Sequence, residues 1–239
     1  MQGAMTGRVA LVTGASRGIG AAVVRRLAAE GAEIVAIART QGALEDLDDE
    51  VRAAGGKPLV LVPEDLRDFD VIDKVAAAIF QRWGRLDALI GNAGVIGGGL
   101  SPVPHHAPDD WNEAFAVNVT ANWRLIRACD PLLRMADSGR AVFTTSGVTR
   151  GVHPYWGPYA ASKAALETMV KTWAAEVANT TGLRINLIDP GVVATRLRAI
   201  AFPGEDQDKL AQPDDVAAAF VALCRPDCVQ HGDVIVVRP

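Results

Sequence analysis

Residues 8–20 read Arg8-Val9-Ala10-Leu11-Val12-Thr13-Gly14-Ala15-Ser16-Arg17-Gly18-Ile19-Gly20. The nearly all-apolar run up to Thr13 is what a parallel strand covered on both faces requires. The spacing G-x-x-x-G-x-G follows at once, and an Ala/Leu/Arg-rich stretch over 19–30 reads as a helix. Gly14 permits a tight turn, Gly18 lets the backbone approach a pyrophosphate, and Gly20 lets the helix pack closely on the sheet. Ser16, Arg17 and Ile19 lie in the same turn, where the helix N-terminus offers free N–H groups to an anion. Glycines are common in turns, but this strand–turn–helix setting favours the phosphate-binding reading.

The pattern repeats along the chain. Strand-like runs cover 8–13, 33–38, 57–62, 86–91, 140–145, 184–188 and 233–237. Helix-like stretches cover 19–30, 42–54, 69–83, 108–135, 158–180 and 213–223. Such alternation argues for crossover units on a parallel sheet. No linker divides the chain, so the expectation is one domain over 1–239. Its fold class is α/β: a doubly wound, three-layer α/β/α sandwich around a seven-stranded parallel sheet. Ligands of such sheets bind beyond the carboxyl ends of the strands.

Composition narrows the function classes. Hydrophobic residues make up 49% and charged residues 22% of the 239, an ordinary globular balance. The formal charge of −4 gives no general reason to seek nucleic acid or an anionic membrane. No apolar run approaches the length of a membrane span, and residues 1–7 do not read as a secretory signal, so the expected location is cytoplasmic. Cys129, Cys224 and Cys228 form neither a disulfide framework nor a metal cage, and His105-His106 has no third ligand. No metal site is expected.

The second strand bears on the cofactor. NAD enzymes of this architecture place an acid at its end, on the ribose 2′-hydroxyl. Here the strand ends Ala36-Ile37-Ala38-Arg39-Thr40. Arg39, with Arg17 as a second cation, suits a 2′-phosphate, so NADP(H) is favoured over NAD(H). The alternative is that both arginines are solvated surface residues.

The chain has two tyrosines, Tyr155 and Tyr159, and only Tyr159 has a lysine four residues on, Lys163. On a helix that spacing puts phenol and ammonium on one face. A nearby cation favours phenolate, so a Tyr159 pKa below the usual 10 or so is expected, which suits proton exchange near neutral pH. Ser146 ends the fifth strand, where it can hydrogen-bond a substrate oxygen. Asn118 sits inside a long helix, where its propensity is poor and a packing or functional reason is expected.

The ordered set Thr13-Gly14-x-x-x-Gly18-x-Gly20, Asn92-Ala93-Gly94, Asn118, Ser146, Tyr159-x-x-x-Lys163 and Pro190-Gly191 resembles the short-chain dehydrogenase/reductases, in their compact single-domain branch. The resemblance runs from Gly7 to Val237 and implies a Rossmann-type fold. It implies that Tyr159 is the general acid, that Ser146 orients the carbonyl, and that Lys163 holds the nicotinamide ribose. Asn118 would support a water that resupplies protons. Asp65 and Leu66 would meet the adenine, with Asn92, Ala93 and Gly94 on the adenosine side. Pro190, Gly191, Val193 and Thr195 would wrap the nicotinamide. Two long helices, 108–135 and 158–180, would pair across a two-fold to give a homodimer or homotetramer. The run from Arg198 to Asp206 resembles a bacterial subgroup called YciK-like, which supplies no physiological substrate.

The segment 192–212 is expected to form a short lid over a small carbonyl or alcohol substrate. His153, Trp156, Val192 and Phe202 would line the pocket, although His153 also suits a solvated loop. Gly97-Gly98-Gly99 is either a flexible loop at the cleft mouth or a plain connection. The chain end, Val236-Val237-Arg238-Pro239, lacks the longer tail of many relatives and leaves pocket depth open. A 3-oxoacyl-thioester reductase is the runner-up, with Arg150, Arg196 and Arg198 to steer a phosphopantetheine arm against the acids Glu205, Asp206 and Asp208. A catalytically silent NADP-sensing protein is the alternative from another class.

Overall fold

The computed structural model describes residues 3–238; Met1, Gln2 and Pro239 lie outside the described residues. Seven strands form one all-parallel sheet: β1 (Val9–Thr13), β2 (Glu33–Ile37), β3 (Val60–Val62), β4 (Ala88–Gly91), β5 (Arg140–Thr144), β6 (Arg184–Asp189) and β7 (Val234–Val236). Their order is β3-β2-β1-β4-β5-β6-β7, in parallel register throughout. β1 alternates strictly. Ala10 and Val12 join one core with Val23, Leu27 and Phe220, while Val9 and Leu11 join the other with Ile72, Leu125 and Leu166. These two cores separate the layers. α1 (Gly18–Ala29), α2 (Gln41–Ala53) and α8 (Pro213–Cys224) cover one face. α3 (Phe69–Trp83), α5 (Ala121–Arg134) and α6 (Gly157–Val177) cover the other. The three-layer arrangement matches the expectation from the alternating pattern.

Helix ends follow local chemistry. Asp68 accepts a hydrogen bond from the Asp70 N–H at the start of α3, and Gly84 closes that helix at φ +71°. At α8, Pro213 occupies the first turn, while Gln212 and Asp215 satisfy each other's backbone N–H groups. α1 differs: Arg17 precedes it with extended backbone and no side-chain cap. Its first N–H groups are therefore left for a ligand or water.

The stretch 108–135 is not one regular helix, as its periodicity suggests. α4 (Pro108–Phe115) runs into a π-helical turn at Ala116–Thr120 before α5 begins. The wider turn carries Asn118 inward to full burial. The segment 192–212 is also more ordered than a lid loop, because Arg196–Ala201 forms a further helix, α7, capped by the Thr195 hydroxyl accepting from the Arg198 N–H at 3.2 Å. Among the described residues no helix is long and apolar enough to cross a membrane.

Candidate active site

The sheet order reverses between β1 and β4, which opens a crevice at the carboxyl ends of the strands. A cleft of about 1210 Å³ lies there, reaching from the glycine turn and Arg39 to Tyr159, Phe202 and Arg238. Gly14 and Gly18 take φ of +64° and +54°, in the left-handed region that favours glycine. Gly20 stands outside the cleft wall. A Cβ there would lie 2.1 Å from the Gly14 carbonyl oxygen, so its role is the close helix-to-turn approach. Ser16, Arg17 and Ile19 line the cleft beside the uncapped α1 N-terminus. That arrangement can hold a pyrophosphate.

At one end, Arg17 donates to the Thr40 hydroxyl at 3.2 Å, and Arg39 stands mostly exposed, 3.9 Å from Asp65. Asp65 is held mainly by Arg67, which binds it through both Nε and Nη2, the closest contact being 2.6 Å. That hydrogen bonding keeps its carboxyl below the usual range. Leu66 is buried at the same wall.

Asn92, Ala93 and Gly94 tie the glycine turn to the centre of the sheet. The Thr13 hydroxyl accepts from the N–H groups of Asn92 and Ala93 at 3.0 and 3.1 Å. The Asn92 amide donates to the Thr13 carbonyl at 3.2 Å, and its oxygen accepts from the Thr144 hydroxyl at 3.3 Å. Strands β1, β4 and β5 are thereby locked together at the crevice.

Ser146, Tyr159 and Lys163 meet at the carboxyl end of β5 and line the same cleft. Lys163 is buried and donates to the Thr144 carbonyl at 2.7 Å, its one acceptor among the described residues for three N–H donors. Its Nζ lies 5.8 Å from the Tyr159 ring centroid. Here the sequence expectation needs correction. The Tyr159 pKa is not lowered: burial pushes it up to about 12, opposed only in part by the Ser146 hydroxyl. The same burial brings Lys163 down to about 8. Desolvation is the leading cause of both shifts.

Asn118 is fully buried. Its amide donates to the Val95 carbonyl and the Ser162 hydroxyl, both at 2.9 Å, and its oxygen accepts from the Val95 N–H at 2.9 Å. Its main-chain carbonyl accepts from the Asn122 amide at 2.9 Å. The side chain pins Val95, which lines the cleft, and itself stays behind the wall.

Pro190, Gly191, Val193 and Thr195 form the wall opposite the glycine turn, where the Thr195 methyl would lie 3.5 Å from a Cβ on Gly18. His153, Trp156, Val192 and Phe202 line the far end of the cleft. Gly97 and Gly98 also line the cleft, both at positive φ and packed against Asp110. Residues 236–238 contribute too, so the described end of the chain forms part of the wall.

Sequence reasoning missed Asp189. This buried acid closes β6, accepts from the Gly191 N–H at 3.1 Å, and forms an ion pair with Arg150 from the turn after Ser146. A carboxylate following the apolar pair Leu187-Ile188, directly before Pro190-Gly191, was the available signal.

Comparison with known proteins places the chain. The short chain dehydrogenase family matches residues 8–206. The chain is 35% identical over 228 residues to the uncharacterized oxidoreductase YciK of Escherichia coli K12, covering 95% of this chain and 89% of that protein. It is 36% identical over 206 residues to the uncharacterized NAD-dependent oxidoreductase Rv0687 of Mycobacterium tuberculosis, covering 81% and 74%. Its fold superposes on a short chain dehydrogenase of Escherichia coli CFT073 complexed with NADPH, with a TM-score of 0.94, 34% identity and full coverage of both chains.

Proposed function

Since the chain belongs to the short chain dehydrogenase family, in its YciK-like subgroup, and is an oxidoreductase, we propose that it interconverts a carbonyl compound and the corresponding alcohol with NADP(H), Tyr159 being the general acid/base. The observation that carries this reading is the convergence of Ser146, Tyr159 and Lys163 on the cleft that also holds the glycine turn. The bound nicotinamide would supply or take up the hydride. Tyr159 would give its proton to the carbonyl oxygen, and its high pKa in the cofactor-free state keeps that proton in place at neutral pH. Ser146 would hold the same oxygen as charge develops on it. Lys163, with donors to spare, would hold the ribose hydroxyls.

The residues suit NADP(H). The glycine turn and open α1 N-terminus fit the pyrophosphate. Arg17 and Arg39 offer two cations, while Asp65, the nearby acid, is engaged by Arg67. The NADPH complex of the E. coli relative supports this choice, against the NAD-dependent name of the mycobacterial one. Exposed Trp111 and Trp123 on α4 and α5 support assembly into a homodimer or homotetramer through that face, which light scattering would test.

Tyr159→Phe tests the mechanism. Turnover should fall by about three orders of magnitude, with NADPH affinity held within about threefold because the aromatic ring stays. Turnover unchanged in that variant would refute the role of the phenol.

A further inference from the structure

The substrate end of the cleft is apolar around Tyr159. Ile96 and Ala201 pack with it, bordered by Val148, Leu197, Trp156 and Phe202. The Trp156 ring lies 5.6 Å from the Tyr159 ring at 50° and 6.0 Å from the Phe202 ring at 45°. These are spacings at which aromatic groups attract one another.

Both walls are held from behind. The Arg198 guanidinium lies 3.8 Å from the Phe202 ring centroid and is bound by both Glu205 oxygens, at 2.5 and 2.6 Å. Trp156 follows Tyr155, whose φ of +74° turns the chain, and whose carbonyl accepts from the Ser101 N–H at 3.1 Å. Held side chains of this kind bind without the entropy cost of ordering them.

The two arginines nearest Tyr159 and Phe202 are compensated. Arg150 is paired with buried Asp189, and Arg198 with Glu205. An anionic substrate would have to compete with a carboxylate already in place at each. Arg196 follows Thr195, which faces Gly18 on the glycine-turn side. Arg238, exposed beyond β7, lines the outer rim of the cleft.

We propose that the substrate is an uncharged carbonyl compound with a flat aromatic group joined directly to the carbonyl carbon, seated against Trp156 and Phe202. The proposal rests on the Tyr159 chemistry above. Direct attachment follows from the contact of Trp156 with Tyr159 itself: a carbonyl at the phenol has its first substituent against the indole.

Three probes test it with NADPH: 1-phenylpropane-1,2-dione, butane-2,3-dione and phenylglyoxylate. The aryl dione should exceed the alkyl dione in kcat/KM by about tenfold or more, as one buried ring allows, and exceed the charged keto acid by more. In Trp156→Ala and Phe202→Ala the aryl-to-alkyl ratio should fall to within about threefold. Preference for the keto acid, or an aryl advantage that survives both substitutions, would overturn the proposal. Calorimetric binding of the same probes to the enzyme with NADP⁺ separates the two readings. Selective aryl binding without turnover would uphold the substrate class and strike down the reductase chemistry. Turnover of butane-2,3-dione with no aryl preference in binding would do the reverse.

Discussion

Lys163→Met should make the cofactor-free protein more stable at neutral pH while removing its activity. Lys163 is only 2% exposed and has a single acceptor, the Thr144 carbonyl at 2.7 Å. Burial brings its pKa from 10.5 to about 8, so the unfolded chain binds this proton more tightly than the folded one. Below about pH 8 both states are protonated, and the folded state carries the full cost, about 3 kcal/mol. Between about pH 8 and 10.5 the folded amine is neutral while the unfolded one is still charged. The cost shrinks as pH rises through that window and is gone above it. Methionine is uncharged and of similar length, but it leaves the Thr144 carbonyl unpaired at about 1–2 kcal/mol. The net gain near pH 7 is about 1–2 kcal/mol, or about 2–8 °C in Tm for a chain of this size. Near pH 10.5 the difference should become a small loss. Tyr159, with its raised pKa, costs stability above about pH 10, but it is common to both proteins. Thermal melts of wild type and variant from about pH 6 to 10 measure the difference. A variant that melts lower at pH 7, or a difference that does not change with pH, would refute the reasoning.

Other outcomes follow from the same geometry. Arg39→Asp should weaken NADPH binding by about tenfold or more, the worth of one charge-assisted hydrogen bond, and improve NADH binding; equal NADPH affinity by fluorescence titration would remove the 2′-phosphate role. Asn118→Ala should cost about 3 kcal/mol in urea unfolding, because it strands both backbone groups of Val95. Gly97→Ala should destabilise more than Gly55→Ala, since a Cβ at Gly97 would lie 2.8 Å from the Asp110 carbonyl oxygen, whereas Gly55→Ala meets open space and should cost about 1 kcal/mol for its positive φ alone. Carbonyl reduction should stay flat from about pH 6 to 7, below the range in which Lys163 titrates, while alcohol oxidation, which needs the phenolate, should rise with pH over that range.

The legible features in the sequence are local ones. β1, the glycine turn and α1 declare themselves through contiguous apolar residues and fixed glycine spacing. The Tyr159 and Lys163 pair is visible because one helical turn separates them. What escaped depends on depth and on distant partners. No pattern in 108–135 reveals a π-turn, since one additional residue in a turn leaves the composition unchanged. Spacing alone suggested a lowered Tyr159 pKa, and only burial shows the opposite. The expected strand 57–62 shortens to Val60–Val62, where pairing with β2 begins. Asp189 could not be matched to Arg150 in the sequence because the fold brings it from 39 residues away, whereas Glu205, seven residues from Arg198, was already set against that cation.

Asp189 has a mechanical consequence. One of its oxygens holds the turn after β5 through Arg150, and the other holds the Pro190–Gly191 loop through the Gly191 N–H. Those two walls of the cleft therefore move as one body, like a fixed jamb. The wall continues through Thr195 into α7, which carries Arg198 and leads directly to Phe202, so the fixed jamb also sets where the apolar end of the cleft begins.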